Sequence, residues 1–164
     1  EITTRLVGSE MCIRDRMNII ETVKKTLSQC PKIDDFCNGL HVDFSENKSG
    51  DFGLYSSGDA LVGKDILGNE KRKHSFVLYA NGRPFNEFDR LAHSAFLLEL
   101  NYWLEKQKHI VVTSIVDGKE LSGEITKMSC ANAMLFAVPT GNVNDGVTYQ
   151  LQIYAEYTIE SEEF

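Results

Sequence analysis

Apolar and polar positions alternate without a break between residues 147 and 159. Val147, Tyr149, Leu151, Ile153, Ala155, Tyr157 and Ile159 fall on one side, and Thr148, Gln150, Gln152, Tyr154, Glu156 and Thr158 on the other. A period of two with one apolar face predicts an antiparallel strand that is dry on one side and wet on the other. Two earlier runs, residues 52–66 and 70–80, flank Gly68-Asn69 and predict a hairpin. On the second run Arg72, His74, Phe76, Leu78 and Ala80 share a face, while Lys71, Lys73, Ser75, Val77 and Tyr79 share the other. Buried unpaired lysines are costly, so the charged half is expected to project past the core. Residues 110–116 and 120–128 flank Asp117-Gly118, a strong two-residue hairpin signal, and residues 133–138 predict one more strand. Residues 40–44 predict a short one, and residues 45–51 and 139–146 read as loops.

Helical spacing governs two segments. Residues 17–30 carry Ile19, Ile20, Val23 and Leu27 on one side, and Pro31 ends the run. A second, longer helix starts with Asn86 as its cap and Asp89 in its first turn, and extends to about Lys106. It carries too much apolar surface for a single face. The row Phe88, Leu91, Ala95, Leu98 and Tyr102 is expected to cover a sheet, leaving Phe96, Leu97, Leu100, Trp103 and Leu104 for a layer above or a second subunit. Helix, strands, helix, strands is the order of an α+β fold: an antiparallel or mixed sheet with a protruding hairpin, packed against one long and one short helix.

Size and charge narrow the function. The chain has 164 residues, enough for one domain. Its 17 basic against 24 acidic residues leave a net charge of −7, which argues against general nucleic-acid binding. No apolar run approaches the roughly 20 residues of a membrane span. Glu10-Met11-Cys12-Ile13-Arg14-Asp15-Arg16 back-translates to the transposase mosaic end used in sequencing libraries. Residues 1–16 are therefore read as translated adapter, and residues 17–164 as the single domain. With Cys12 set aside, Cys30, Cys37 and Cys130 do not make a secreted disulfide framework, and cytoplasmic synthesis is expected.

Little chemistry is legible. Cys30, Cys37 and His41 form a C-x6-C-x3-H arrangement without a clear fourth ligand among Cys130, His74 and His109. No G-x-S-x-G nucleophile motif occurs. Asp51-Phe52-Gly53 lacks every other kinase element, and Gly58, Gly63 and Gly68 lie in a hairpin, where they suit bends or bulges rather than a phosphate loop. No cofactor or metal is expected. The basic cluster Lys71-Arg72-Lys73-His74 reads as a solvated, aggregation-resistant edge, as a contact for an acidic neighbour or, least favoured in a chain of net charge −7, as a DNA contact.

Taken as a layout, the chain resembles a family of small proteins from tailed phages and prophages of Gram-positive bacteria, labelled minor capsid proteins and read structurally as tail terminators. The resemblance rests on the short first helix and Ile33-Asp34-Asp35-Phe36. It rests further on the hairpin from Gly58-Asp59 through Asp65-Ile66-Leu67-Gly68-Asn69-Glu70-Lys71-Arg72-Lys73-His74-Ser75-Phe76-Val77-Leu78-Tyr79-Ala80, on Asn101-Tyr102-Trp103-Leu104-Glu105, and on Tyr149-Gln150-Leu151-Gln152-Ile153. It implies a structural, non-enzymatic virion protein at the head–tail junction. The resemblance further implies that copies form a ring, commonly a hexamer, that caps the tail tube, with the tail-tube protein and the head connector as partners. Lys71, Arg72 and Lys73 on the hairpin and Phe96, Leu100, Trp103 and Leu104 on the helix are the expected contact residues, chosen from the pattern. A head-closure or tail-completion protein is the neighbouring alternative. A small α+β enzyme or ligand-binding domain, marked by convergent His or carboxylate groups in a polar pocket, is the alternative from another class.

Overall fold

Asn18 starts the first described helix by accepting the Glu21 N–H on its side-chain oxygen at 2.9 Å, which satisfies one of the orphan donors of the first turn. Helix α1 (Ile19–Ser28) then buries Ile19, Thr22, Val23, Thr26 and Leu27 along one face. A single helical turn α2 (Ile33–Phe36), strand β1 (Gly39–Val42), the hairpin β2 (Asp51–Lys64) and β3 (Glu70–Gly82), and helix α3 (Glu87–Glu105) follow. The hairpin β4 (Ile110–Val116) and β5 (Lys119–Ala137) and strand β6 (Val147–Ile159) are the remaining described elements. The computed structural model describes residues 17–43, 50–82, 87–138, 141 and 146–161. The leader 1–16, Phe44, the cap Asn86 and most of the loops 45–51 and 139–146 lie outside the described residues.

The strands form one curled mixed sheet in the order β1-β2-β3-β6-β5-β4. Among the described strands only β1 and β2 run parallel. With the helices this is the α+β class that the element order predicts. Helix α1 touches both β1 and β4, the two ends of the sheet, so it closes the curl. The core lies inside. Strand β6 is buried at every second residue from Val147 to Ile159, as its alternation demands. Its Leu151 and Ile153 face Leu78 and Phe76 of β3, and burying each such side chain is worth about 1.5–3 kcal/mol. Phe36 of α2 stacks on Phe96 of α3 with ring centroids 4.5 Å apart, which fixes the helices to one another.

The turns follow their sequences. Asp117 and Gly118 both have positive φ (54° and 78°), as a two-residue primed turn requires. The β2–β3 connection is wider than the Gly68-Asn69 dipeptide suggests. Asp65 builds it, accepting the N–H groups of Leu67 and Asn69 and the side-chain amide of Asn69 at 2.9–3.0 Å. Register shifts at Ser56/Gly58 and Leu61/Gly63 put bulges beside Gly58 and Gly63, the role expected of both. Residues 120–128 and 133–138 are one strand rather than two. A bulge between Ala131 and Met134, with Asn132 at φ 55°, interrupts the pattern without ending the pairing to β6. The far half of the β2–β3 hairpin extends past β1, whose pairing ends at Leu54. Strand β3 is not free there, because β6 pairs with it from Glu70 to Gly82.

Candidate functional site

The basic cluster divides between the two faces of β3. Lys71 and Lys73 point outward; Lys71 is exposed, and the Lys73 ammonium lies 4.6 Å from the centre of the Tyr154 ring. Arg72 points inward, to the open end of the curl. Its Nε donates to Asp59 at 2.7 Å and its Nη1 to Glu70 at 2.9 Å. The Asp59 hydrogen bond foremost raises the Arg72 pKa and holds the guanidinium charged, so its cation is matched within the chain. Lys71, Arg72 and Lys73, the expected hairpin contacts, thus lie on the two faces that the strand's alternation assigns them. Alternation along a strand separates Arg72 from its neighbours, and only the lysines face outward.

Helix α3 reverses the expected assignment of its two apolar rows. Phe96 and Leu97 are 3% exposed, and Leu100 and Leu104 fully buried, so these residues belong to the core. Trp103 is half-buried at the edge of that core. Phe96, Leu100 and Leu104, expected at a subunit contact, are therefore taken by the chain's own sheet. Leu91 (63% exposed), Leu98 (48%) and Tyr102 (56%) form the outer row instead, with Ala95 exposed between them. At about 100° per residue the two rows lie on nearly opposite sides of the helix, and both satisfy helical spacing. The pattern reveals two faces. It does not say which one the sheet takes.

Further apolar surface missed at the sequence level lies on the strands. Leu61, Val62, Ile66 and Leu67 are exposed at the far end of the β2–β3 hairpin, and Val111, Ile115 and Val116 on the end strand β4. Two open clefts flank α1. One, of about 720 Å³, is lined by Lys25, Thr26, Gln29, Val111, Thr113 and Ser122 among others. The other, of about 620 Å³, has Glu21, Glu70, Arg72 and Tyr157 in its wall.

Among the described residues the cysteines, Cys30, Cys37 and Cys130, are free thiols. Burial pushes Cys30 and Cys37 up to about 11 and Cys130 up to about 12, with Glu99, Asp51 and Asp34, and Glu105 adding to the effect in turn. Among the described residues no group of three His, Cys, Asp or Glu side chains is placed to hold a metal ion. His41 pairs with Asp51 at 2.8 Å rather than converging with Cys30 and Cys37 on a shared centre. Among the described residues no helix is long and apolar enough to cross a membrane. Comparison with protein-family models and with curated proteins finds no match to the chain.

Proposed function

We propose that the protein is a tail terminator of a tailed phage or prophage: a structural virion component whose copies form a ring, commonly hexameric, on the tail tube at the head–tail junction. The observation that carries this reading is the outer row of α3. Leu91, Leu98 and Tyr102 stand exposed on a helix whose other side already fills the core. Helices of single-chain domains seldom carry a second apolar face to water, and such a face suits a neighbouring subunit. The exposed hairpin end, with Leu61, Val62, Ile66 and Leu67, offers a second and different apolar surface. Two different surfaces are what a head-to-tail contact needs, and such contacts close into rings when the rotation allows. The ring caps the tail-tube protein on one side and receives the head connector on the other. It assembles in the host cytoplasm and remains in the virion.

Long-read, adapter-free sequencing of the source DNA tests the assignment. Head-connector genes on one side and a tail-tube gene on the other, with a different sequence ahead of Met17, are the expected result. Metabolic neighbours would overturn it. At the protein level, Leu98→Asp is expected to abolish ring formation on tube ends in electron micrographs while leaving a folded monomer.

A further inference from the structure

Three side chains on the hairpin stand in an arrangement that no sequence motif announces. Ser56 Oγ lies 2.5 Å from His74 Nε2, and His74 Nδ1 lies 2.9 Å from Asp59 Oδ2. Residues three apart on a regular strand point to opposite faces, so Ser56 and Asp59 of β2 could not both meet His74 in an uninterrupted strand. The bulge between Ser56 and Gly58 inserts one residue and resets the alternation. Ser56 then pairs with Phe76 and Asp59 with His74, two β3 residues on the same face. The carboxylate is held in turn from behind: Tyr157 donates to Asp59 Oδ2 at 2.5 Å and Arg72 to Oδ1 at 2.7 Å. Burial alone would raise the Asp59 pKa, but the hydrogen bonds from Tyr157, Arg72 and His74 together outweigh it and keep the carboxyl below its usual value. His74 is nearly buried, with 9% of its side chain accessible, while Ser56 is exposed beyond the end of β1.

We propose that Ser56 is an activated nucleophile that, with His74 as base and Asp59 as the group positioning it, transfers acyl groups from small carboxylic esters to water. Nucleophile, imidazole and carboxylate in hydrogen-bonded sequence define this chemistry by geometry and role rather than by position in the chain. Ser56 Oγ attacks the ester carbonyl while its proton passes to His74 Nε2. The C–O bond to the leaving group breaks, and His74 gives that proton to the departing alkoxide. Water then attacks the acyl-serine, loses its proton to His74, and the carboxylic acid leaves as Ser56 recovers a proton from the imidazolium. The carboxylate of Asp59 keeps Nδ1 protonated and stabilises the imidazolium formed in each half-reaction. Among the described residues Ser56 is exposed, past the end of the β1 pairing, which leaves room for small, loosely selected esters. This activity is separate from ring assembly, and either can fail without the other.

The test uses the full chain and a fluorophosphonate probe. The probe forms an Oγ–P bond with an activated serine and expels fluoride, and peptide mass spectrometry locates the adduct. The expected result is one adduct, on Ser56, absent in Ser56→Ala and retained in Ser57→Ala. His74→Gln is expected to slow labelling by about 100-fold or more, the usual contribution of a positioned general base. Asp59→Asn should slow it as well, with circular dichroism showing that the variant is folded. Hydrolysis of p-nitrophenyl acetate should show a burst that Ser56→Ala removes. Folded wild-type protein that acquires no adduct overturns the proposal, as does an adduct on another serine. Labelling of folded Asp59→Asn at the wild-type rate overturns it too.

Discussion

The hydroxyl of Tyr157 on β6 donates to the carboxylate of Asp59 on β2, reaching past the intervening strand β3. Strands two places apart are separated by nearly twice the 4.7–4.9 Å strand spacing, so only a long side chain leaning along the inner face can span them. The bond ties the exposed margin of the hairpin to the best-buried strand of the sheet. Arg72 and His74 meet the same carboxylate from β3.

Tyr157→Phe should therefore destabilise the fold by about 1.5–3 kcal/mol, the range for a hydrogen bond to a charged group, and toward its lower end because two donors remain. Urea unfolding measures it. The acid limb supplies an independent reading. Asp59 has a lowered pKa in the folded state, so its contribution is present above the unfolded carboxyl value and is lost as pH falls through the folded one. Removing Tyr157's donor moves the folded value upward, toward the unfolded one, so the acid-dependent loss should be smaller in Tyr157→Phe and end at higher pH than in the wild type. Identical acid midpoints would show that the bond contributes nothing in solution.

Leu97 and Leu98 are adjacent on α3 and point about 100° apart, one into the core and one to solvent, at 3% and 48% exposure. Leu97→Ala should cost about 2–5 kcal/mol, as for other buried leucines. Leu98→Ala should stay within about 0.5 kcal/mol. Thermal denaturation of the two variants compares them directly, and equal losses would place Leu98 in the core.

That pair also marks where the sequence stops being informative. Strand β6 was legible because alternation names a single face, and the Asp117-Gly118 turn because only a few residue types tolerate positive φ at both positions. Helix α3 was legible as a helix but not in its orientation, since its two apolar rows satisfy the same spacing. Choosing between them depends on partners distant in sequence, such as the Phe36 and Phe52 rings that receive Phe96. The Ser56–His74–Asp59 line was hidden for a related reason. A one-residue bulge changes which side chains share a face, and Gly58 announces that a bulge is permitted, not where the register shifts.

Cys130 offers a chemical reading of the same core. Burial, followed by the nearby Glu105 carboxylate, pushes its thiol up to about 12. Only about one thiol in 10⁴ is then ionised at pH 8, against roughly a quarter for a free cysteine, and the thiolate is the reactive form. Iodoacetamide should leave Cys130 almost unmodified in native buffer and alkylate it in proportion to the unfolded fraction as urea is added. Peptide mass spectrometry follows the site, and fast alkylation without denaturant would contradict its placement.

Gly123 and Gly63 predict opposite responses to the same substitution. Gly123 pairs with Ile159 on β6, and a Cβ built on it would fall on the backbone carbonyl of Thr158. Neither that carbonyl nor the strand carrying it can yield cheaply, because β6 is held on its other side by β3 throughout its length. Gly123→Ala should therefore cost at least the 1–3 kcal/mol typical of overpacking, and it should open the β5–β6 ladder near Thr158 first. A Cβ on Gly63 would meet nothing within 4 Å, and its φ is not positive. Gly63→Ala should leave stability unchanged or raise it by about 0.4–1 kcal/mol through the less flexible unfolded chain. Amide hydrogen exchange separates the two outcomes strand by strand: faster exchange confined to β5 and β6 for the first variant, and none for the second. Equal tolerance of both substitutions would mean that the β5–β6 register near Gly123 is not the one described.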